Sequence, residues 1–431
     1  MLTRIALLSS SFLLATAFIT PTTAAPVEIS DSLEQKVIEW RRDIHQHPEL
    51  SNREFRTAAL VADHLRALGL EVTTDIAHTG VVGILRGGKP GPNIALRADM
   101  DALPVRELTD VPFASTATGE YRGREVPVMH ACGHDTHVAM LMGAAEYLAG
   151  IQDQVAGNIM FIFQPAEEGA PPGEEGGAEL MLAEGLFDLL KPEAVMGIHV
   201  WSAGTTGHIG YRKGPLMASS DRFEIRVIGE QTHGSRPWGG VDPIVVAGQI
   251  INNVQTIVSR QINITRAPAV VSFGIVEGGV RNNIIPDEVY LEGTIRNFDM
   301  ELRQEIFEKL KRTAEHTAAA SGARVEVEIH EGYPVTINDP ELTARMLPTI
   351  ERVIGADKIY EADLVTGAED FSFYALEVPG LFVFLGITPP DQDPATAPSN
   401  HSPYFYVDED ALRVGTELFI NWVLDYPEVS E

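Results

Sequence analysis

The chain has 431 residues, and 61 acidic against 32 basic side chains give it a formal net charge of −29. Such a charge repels nucleic acid and anionic membrane surfaces, so neither is expected as a partner. A chain of this length exceeds a single ordinary hydrophobic core, which favours two domains. Its 44% hydrophobic content is typical of globular proteins rather than disordered ones.

The start of the chain has the layout of a cleavable export signal. Arg4 precedes an apolar run over residues 5–19, and small residues follow up to Ala25. The apolar run is too short to span a bilayer, and no stop-transfer pattern follows it. We therefore expect residues 1–25 to be a signal peptide, with a mature protein that is secreted or periplasmic and not inserted in a membrane.

Helical and strand-like segments then alternate as far as Gly214. Apolar spacing predicts helices over 33–47, 54–68, 136–148 and 178–184, and strands over 81–86, 93–98, 158–163 and 194–198. Ser51 or Asn52 is the candidate cap of the second helix, and Gly69 is its expected terminator. Apolar strands separated by amphipathic helices predict a sheet that is covered by helices on both faces.

The pattern changes after Pro215 and resumes near Tyr333. Between them, strands are predicted over 222–228, 269–276, 288–296 and 324–330, with long helices over 242–261 and 300–319. A further strand is expected over 381–385 and a last helix over 408–424. We therefore predict an α/β fold: a discontinuous catalytic domain (33–215 and 332–431) with helices on both faces of a mixed sheet. An α+β domain of two helices on a four-stranded antiparallel sheet would be inserted at 216–331.

The single cysteine, Cys132, lies in the run Met-His-Ala-Cys-Gly-His-Asp-Thr-His at 129–137. A lone cysteine cannot form an intramolecular disulfide, so its sulfur is either inert packing or chemistry. Thiolate and imidazole together suit zinc and its neighbours among the transition metals. Three of the 13 histidines lie within this run, which favours a metal site.

Other potential ligands follow predicted strands or lie in a turn near the C-terminus. These are Asp99 and Asp101 after 93–98, Glu167 and Glu168 after 158–163, His199 at the end of 194–198, and His401. Each alone is ambiguous, because acidic pairs are usually solvated and lone histidines are usually structural. Together they supply enough thiolate, imidazole and carboxylate groups for two metal ions, with one carboxylate left over as a base.

At this point the sequence resembles a known family. The motifs at 97–104 (Arg-Ala-Asp-Met-Asp-Ala-Leu-Pro), 129–135, 167–169 (Glu-Glu-Gly) and 197–199 (Gly-Ile-His) are similar to those of the di-metal aminoacylase/carboxypeptidase family. The match is to its amidohydrolase branch of hippurate hydrolases, N-acyl-amino-acid hydrolases and plant auxin-conjugate hydrolases. Segments 283–287, 293–296 and 369–371 continue the resemblance, which extends from about Val37 to the end. The family's catalytic α/β domain with an inserted, dimerising lid agrees with the change of pattern.

The resemblance implies a role for each motif residue. Cys132 would bridge two divalent metal ions per subunit, and the remaining ligands would be His134, Glu168, His199 and His401. Zinc is the favoured ion, with manganese, cobalt or nickel as alternatives. Glu167 would be the general base and acid, taking a proton from the metal-bridging water and giving it to the departing amine.

Further residues receive supporting roles from the same resemblance. Asp101 would orient a metal ligand, whereas Asp99 and His137 would either contact the ligands or be purely structural. His233 would polarise the scissile carbonyl, reaching the partner subunit's site in a homodimer formed through the insert. The candidates for binding the substrate carboxylate, or for holding the insert together, are Asn283, Arg296 and Arg281.

One position departs from the family pattern. Trp238 stands where the branch commonly has a histidine, and it either adds stacking surface near the substrate or packs between the two domains. The sequence names neither the acyl group, nor the amino acid, nor the physiological metal.

Three functions remain open. The first is an exported di-metal amidohydrolase that acts on N-acyl- or N-aroyl-amino acids, or on short peptides at the C-terminal residue. The second is a dipeptidase or aminopeptidase on the same scaffold, and the third is a catalytically silent metal- or ligand-binding protein. Glu167 argues against the third, because binding alone needs no spare carboxylate beside the ligand Glu168.

Overall fold

The computed structural model describes residues 25–429, so residues 1–24 of the predicted signal peptide, like 430 and 431, lie outside the described residues. The helices are α1 (Asp31–Gln46), α2 (Phe55–Ala67), α3 (His134–Gly150), α4 (Gly177–Ala183), α5 (Leu186–Leu189), α6 (Pro243–Thr256), α7 (Met300–Ala320), α8 (Pro340–Ile354), α9 (Phe371–Glu377) and α10 (Asp410–Val429). The strands are β1 (Glu71–Ile76), β2 (Gly80–Arg86), β3 (Lys89–Asp99), β4 (Thr118–Tyr121), β5 (Arg124–Pro127), β6 (Ala156–Gln164), β7 (Ala194–Thr205), β8 (Ile209–Tyr211), β9 (Gly214–Met217), β10 (Asp221–Ile228), β11 (Thr232–His233), β12 (Ala269–Gly278), β13 (Ile284–Ile285), β14 (Glu288–Asn297), β15 (Arg324–His330), β16 (Thr336–Asn338), β17 (Ile359–Glu361) and β18 (Gly380–Thr388).

The larger sheet has eight strands in the order β1-β2-β6-β3-β7-β18-β8-β17. Its centre is parallel, since β3 runs parallel to β6 and β7, and β7 runs parallel to β18. The β1–β2 and β2–β6 pairs are antiparallel, so the sheet is mixed. Along β6, Phe161 and Phe163 enter one apolar cluster with α1, α3 and α10, whereas Met160 and Ile162 enter another with α4 and α9. Helices therefore cover both faces, and the predicted fold class is confirmed.

The smaller sheet is antiparallel and has four strands in the order β12-β14-β10-β15. On β10, Phe223, Ile225 and Val227 alternate inward and pack in a separate apolar cluster with residues of α6 and α7. We call the elements from Asp221 to His330 the insert, the segments 218–220 and 331–335 its two connections, and the remainder the body. The insert has the predicted two helices on four strands, while the exact domain bounds stay a prediction.

Local signals explain where three of the longer helices begin. Asp242, Asp299 and Asp339 cap α6, α7 and α8, each accepting a hydrogen bond from a backbone N–H of the first turn. The predicted cap of α2 is wrong, because α2 begins after Glu54 without a side-chain cap. Ser51 instead donates to Asp101 and Asn52 to the Glu175 carbonyl. Ser51 therefore supports Asp101, and Asn52 supports the loop that carries Glu175, instead of capping the helix.

Several elements differ from the sequence expectations, β7 and α8 among them. His199 is predicted to end a strand, but β7 continues to Thr205 because β18 pairs with it beyond the last β3 partner, Gly197. The segment that forms α8, which contains Pro348, has no predicted element. Buried Leu342, Met346, Ile350 and Ile354 follow helical spacing there, so the apolar pattern was present despite the proline. Within residues 25–429, no helix is long and apolar enough to cross a membrane.

Candidate metal centre

The predicted site residues converge at the ends of the central parallel strands. Asp99 is the last residue of β3, and Glu167 and Glu168 follow β6 after a short loop. His134 is the first residue of α3, which follows the Cys132 segment. Because β3 and β6 are parallel neighbours, their carboxyl ends meet at one edge of the sheet, where open α/β sheets place their sites.

Cys132 lies at the centre of the cluster and contacts two imidazoles. Its Sγ is 3.4 Å from His199 Nε2 and 3.3 Å from His401 Nε2. His401 Nε2 is also 3.0 Å from Glu168 Oε1. Ligand atoms of Cys132, His134 and His199 lie within 4.8 Å of one another, and so do those of Cys132, Glu168 and His401. Two three-residue groups therefore share one sulfur.

The backbone explains the glycine that follows the cysteine. Gly133 has φ = 92°, and a Cβ there would lie 2.3 Å from Val200 Cγ2. A larger residue would be strained and would push against the strand that carries His199. The glycine thus allows Cys132 and His134, on either side of it, to approach β7.

Among the candidate ligands, the two buried histidines, His134 and His199, have their tautomers set by backbone carbonyls. His134 Nδ1 lies 2.8 Å from the Asp101 carbonyl oxygen, and His199 Nδ1 lies 2.7 Å from the Val200 carbonyl oxygen. Each Nδ1 must donate to its carbonyl, so each neutral ring presents an unprotonated Nε2 to the site. His134 Nε2 is buried without a hydrogen-bond partner. An orphaned acceptor of this kind fits a metal ligand.

The electrostatics of the cluster also fit a cation. Burial, with Glu168 and Glu167 close by, raises the pKa of the Cys132 thiol well above its ordinary value. Burial would lower the pKa of His134, but Asp99 and Asp101 outweigh it and raise that pKa to about 10. The pKa of His199 falls well below its usual value, mainly through burial and His137. Carboxylates crowded around a thiol and two imidazoles favour positive charge at this site, which a bound divalent ion would supply by displacing the protons of the Cys132 thiol and of His134.

Asp101 supports both glutamates from behind. Its Oδ1 accepts the backbone N–H of Glu167 at 3.0 Å, and its Oδ2 accepts that of Glu168 at 3.1 Å. The same carboxylate is 3.3 Å from His134 Nδ1. One buried side chain therefore fixes a candidate ligand and the loop that carries the candidate base, as the predicted role of Asp101 requires.

Asp99 and His137 form a second support. His137 Nδ1 is 2.5 Å from Asp99 Oδ1, and its Nε2 accepts the Val200 backbone N–H at 2.9 Å. Both ring nitrogens are therefore engaged, so the geometry favours a role in holding β7 and Asp99 over metal ligation. Asp99 Oδ2 pairs with Arg97 Nη1 at 2.7 Å and lies 3.7 Å from His134 Nε2.

Glu167 lies beside the ligands but close to other acids. Its Oε2 is 3.8 Å from His134 Nε2. Burial, together with the carboxylates of Glu369 and Glu168, raises the pKa of Glu167 well above its usual range. Glu369 is itself buried, with its pKa raised to about 8 by burial although Arg97 opposes the rise. Glu167 is thus a carboxyl group with a strong tendency to hold a proton, which suits a proton carrier.

The cluster opens into a cavity of about 440 Å³ between body and insert. Its floor is formed by Cys132, Glu167, Glu168, His199 and His401, and its apolar wall by Trp201, Met217 and Val365. Arg296 of the insert lines it as well, together with Ser220 and Tyr333 from the two connections between insert and body. Arg296 is half-buried, and its guanidinium has no hydrogen bond or ion pair within residues 25–429. A partly buried, unpaired cation facing such a cavity is suited to bind an anionic group.

The other three insert residues lie away from this cavity. His233 is exposed on β11, which pairs with β13, and Arg281 and Asn283 are exposed in the connection that precedes β13. The Asn283 carbonyl accepts the Gly234 backbone N–H at 2.8 Å, so the two segments brace each other. Within one described chain, the structure brings Arg296 to the metal centre but not His233, Arg281 or Asn283.

Sequence reasoning missed several residues of the site. Asn400 donates from Nδ2 to the carbonyls of Cys132 (3.2 Å) and Val200 (3.1 Å), tying the His401 turn to the centre. Tyr333 donates to the Glu167 carbonyl at 2.7 Å. Asn400 was adjacent to a predicted ligand, and Glu369 lies in a segment that carried the resemblance. Tyr333 and Trp201 had no sequence signal that distinguished them from ordinary aromatic residues.

Comparison with known proteins agrees with this geometry. A family model described as peptidase family M20/M25/M40 matches residues 95–425. Thermostable carboxypeptidase 2 of Saccharolobus solfataricus is 43% identical, over 89% of this chain and 93% of its own length. The N-acyl-L-amino acid amidohydrolase of Geobacillus stearothermophilus is 40% identical, over 72% of this chain and 80% of its own length. The crystal structure of the Bacillus subtilis YXEP protein, a dinuclear metal-binding peptidase from the M20 family, has a TM-score of 0.78 and 35% identity, covering 93% of this chain and 100% of that one.

Proposed function

This chain belongs to peptidase family M20/M25/M40 and is a hydrolase of amide bonds, and on that premise we propose that it is a di-metal amidohydrolase. Its proposed substrates are N-acyl- or N-aroyl-amino acids, or short peptides cleaved at the C-terminal residue. The observation that carries the proposal is the sharing of Cys132 between two ligand groups, with Glu167 beside them in a further group with His134 and Glu168. The names of a carboxypeptidase and an N-acyl-amino-acid amidohydrolase among the relatives support the same reaction class.

The residues that would hold the two ions are Cys132, His134, His199, His401 and Glu168, and Cys132 belongs to both ligand groups. Bound divalent ions would polarise the substrate carbonyl and lower the pKa of a coordinated water. Zinc suits the thiolate and imidazoles best, and manganese, cobalt or nickel are alternatives.

Glu167 is the proposed proton carrier. It faces the cavity next to the ligands, and its backbone is fixed by Asp101. In the proposed reaction its carboxylate accepts a proton from the attacking water. The carboxylic acid then gives that proton to the nitrogen of the departing amino acid as the C–N bond breaks. The neighbouring acids favour the protonated form, which helps the second step more than the first.

Arg296 is the proposed anchor of the substrate carboxylate. Of the three insert residues considered, it alone lines the cavity, and its guanidinium is free to form two parallel hydrogen bonds with a carboxylate. Binding the carboxylate at the insert side would orient the amide bond towards Glu167. The dipeptidase and aminopeptidase alternative requires recognition of a free substrate amine instead.

His233 is proposed to act in a homodimer. The Ser235 backbone N–H donates to its Nδ1 at 3.1 Å, so the neutral ring carries its proton on Nε2. An N–H donor is what the developing oxyanion of the scissile carbonyl needs. Because His233 is exposed and does not line its own cavity, a second subunit is the proposed recipient. The edge strand β12, with exposed Val270, Ile275 and Val276, is an apolar surface suited to pairing through the insert.

Export is a further part of the proposal and rests on the N-terminal pattern alone. A positive residue, an apolar run and small residues precede the described chain. Expression of the full-length chain with N-terminal sequencing of the secreted or periplasmic product tests it. A product that begins at Met1 and stays in the cytoplasm would contradict it.

A substrate panel tests the proposed activity. Purified protein is loaded with Zn²⁺, Mn²⁺, Co²⁺ or Ni²⁺ and assayed on N-acetyl- and N-benzoyl-amino acids, peptides and unblocked dipeptides. We expect turnover of the N-acylated amino acids with at least one metal. Turnover of unblocked dipeptides alone would favour the dipeptidase or aminopeptidase, and no turnover with two ions bound would favour a silent metal-binding protein.

A further inference from the structure

We propose that Tyr333 is a positioning residue that ties the orientation of the insert to the placement of Glu167, an inference that rests on the proposed function. Tyr333 lies three residues beyond the end of β15, in one of the two connections between insert and body. Its hydroxyl donates to the Glu167 carbonyl oxygen at 2.7 Å. This contact joins the body's proposed proton carrier directly to an insert connection.

The peptide group between Glu167 and Glu168 is held on both sides. Its N–H, which belongs to Glu168, donates to Asp101 Oδ2 at 3.1 Å, and its C=O accepts the Tyr333 hydroxyl. Rotation of this peptide plane would swing both glutamate side chains. Asp101 belongs to the body, so Tyr333 is the part of this support that can respond to the insert.

The two connections are bound to each other at this point. The Ser220 backbone N–H donates to the Tyr333 carbonyl at 2.9 Å. Gly332, one residue earlier, donates to Asp221 Oδ1 at 3.1 Å, and its carbonyl accepts Arg303 Nη2 at 3.1 Å. Asp221 and Arg303 are themselves a buried ion pair of the insert. The insert therefore holds the backbone immediately before Tyr333.

The consequence is mechanical. A rotation of the insert moves Gly332 with the Asp221–Arg303 pair, and Tyr333 follows because a single peptide bond joins them. The hydroxyl then shifts relative to the body, where Asp101 keeps the other side of the Glu167–Glu168 peptide in place. Because rates depend steeply on the geometry of reacting groups, even a small shift of Glu167 changes turnover.

The first test removes only the hydroxyl. For Tyr333→Phe we expect kcat on an N-acyl-amino acid to fall about 10-fold, with KM changed less than about twofold, because one fixed hydrogen bond is lost without loss of substrate contacts. Metal content and the melting temperature should stay at wild-type values. Tyr374→Phe is the matched control: its buried hydroxyl donates to Met181 Sδ at 3.4 Å, and within residues 25–429 it forms no hydrogen bond with Glu167 or a proposed ligand, so kcat should not change.

Hydrogen exchange gives a readout independent of turnover. The peptide containing residues 166–169 should exchange faster in Tyr333→Phe than in wild type, and Tyr374→Phe should leave it unchanged. If wild type hydrolyses no N-acyl-amino acid, the proposed function is wrong, but hydrogen exchange still shows whether the Tyr333 hydroxyl holds the Glu167–Glu168 peptide. Unchanged exchange at 166–169 together with kcat within twofold of wild type would overturn the positioning role.

A double mutant tests the tie to the insert. In Gly332→Ala the new Cβ would lie 2.2 Å from the Ser220 carbonyl oxygen, so the two connections must separate. We expect this change to lower kcat in the wild-type background and to have little further effect in Tyr333→Phe, since the route to Glu167 is already cut. Fully additive losses would show that the insert does not act through Tyr333 and would overturn the proposal.

Discussion

The metal cluster and the loop that carries His233 differ in how completely one chain fixes their side chains. In the cluster, Asp101 bonds to His134, Asn400 to the Cys132 carbonyl, and Asp99 to His137 behind them, through hydrogen bonds that are mostly buried. In the His233 loop, the partners of His233 are close neighbours along the loop, and Trp238 is 77% exposed. The cluster is preorganised for its proposed role in activating water, whereas the loop holds its exposed side chains with few contacts. The proposed metal centre is thus fixed within one chain, whereas the proposed role of His233 depends on a second subunit.

The difference has a physical basis. A proton carrier and the neighbouring metal ligands must be held in place to within a fraction of an ångström, and buried hydrogen-bond networks supply that rigidity. Groups that receive and release substrate must move, and exposed loops with few contacts allow movement. The comparison therefore predicts that damage to the cluster affects metal binding and chemistry, whereas damage to the loop affects turnover and specificity with metal binding intact.

The largest expected effect comes from Glu167→Gln. The amide keeps the shape of the side chain but cannot accept a proton from water. General acid–base assistance supplies about 10²–10⁴-fold in rate, and a residue that serves both steps lies near the top of that range. We expect kcat to fall by about 10⁴-fold with both metal ions retained, measured by steady-state kinetics and elemental analysis of the same preparation.

Glu168→Gln is the matched control in the adjacent position. Its carboxylate lies 3.0 Å from His401 Nε2 and belongs to a ligand group, so its loss should lower metal occupancy. If Glu167→Gln kept more than about a tenth of wild-type kcat with metal bound, the acid–base assignment would be wrong. If Glu167→Gln lost metal while Glu168→Gln did not, the two roles would have to be exchanged.

The second prediction concerns the loop. His233→Ala should lower kcat by about 10²–10³-fold, the usual cost of losing one oxyanion donor, while metal content stays unchanged. Mixing His233→Ala with Glu167→Gln subunits then tests whether the histidine acts across a dimer. One site of each mixed dimer would combine an intact Glu167 with an intact His233, so about a quarter of wild-type activity should return. A mixture as inactive as its components, with subunit exchange shown by differently tagged chains, would place His233 in its own subunit's site.

The third prediction tests the support of the cluster. Asp101→Asn replaces one of the two carboxylate oxygens that accept the Glu167 and Glu168 N–H groups. Loss of such a support typically costs about 10–100-fold in metal affinity or activity. We expect both quantities to fall together, measured by metal titration and kcat. A fall in kcat at unchanged metal affinity would mean that Asp101 supports the base loop and not His134.

Much of the fold could be read from the sequence because its signals are local. The helices predicted over 242–261 and 300–319 and the alternation at 222–228 depend on near neighbours along the chain. In the α8 segment Pro348 is a local signal against a helix, while the apolar stripe, which is satisfied only by packing in the body, supports one. The predicted caps at Ser51 and Asn52 are wrong because both side chains hydrogen-bond to residues that are distant along the chain.

The site was readable where chemistry needs particular residue types. The Cys132 run, the paired glutamates and His199 are each ambiguous alone but together supply the ligand types of a metal centre, and the structure brings all of them together. What the sequence could not supply was the support made by contacts between remote segments. Tyr333 reaches Glu167 across 166 positions and Asn400 reaches Cys132 across 268, and neither residue type signals such a contact. Whether Trp238 faces substrate or the body was equally open.

Replacing Trp238 is expected to have the smallest effect, and it tests directly whether the exposed loop contacts substrate. With 77% of its surface exposed, it does not pack between insert and body within the described chain, so one of its two predicted roles is wrong. Its removal should change the free energy of unfolding by less than about 0.5 kcal/mol. If the loop reaches a substrate, the indole adds stacking surface for an aromatic acyl group, worth a few-fold in binding.

The corresponding measurement is a ratio rather than a rate. Trp238→Ala should lower kcat/KM for N-benzoyl-amino acids about 3–10-fold relative to N-acetyl-amino acids, because only the aromatic acyl group loses a stacking partner. Trp238→Phe should recover most of that preference, which a change in loop shape alone would not explain. Equal kcat/KM ratios in wild type and Trp238→Ala would mean that the indole never meets the acyl group. Specificity would then lie in the cavity wall, where Trp201 stacks on Phe384 beside His199.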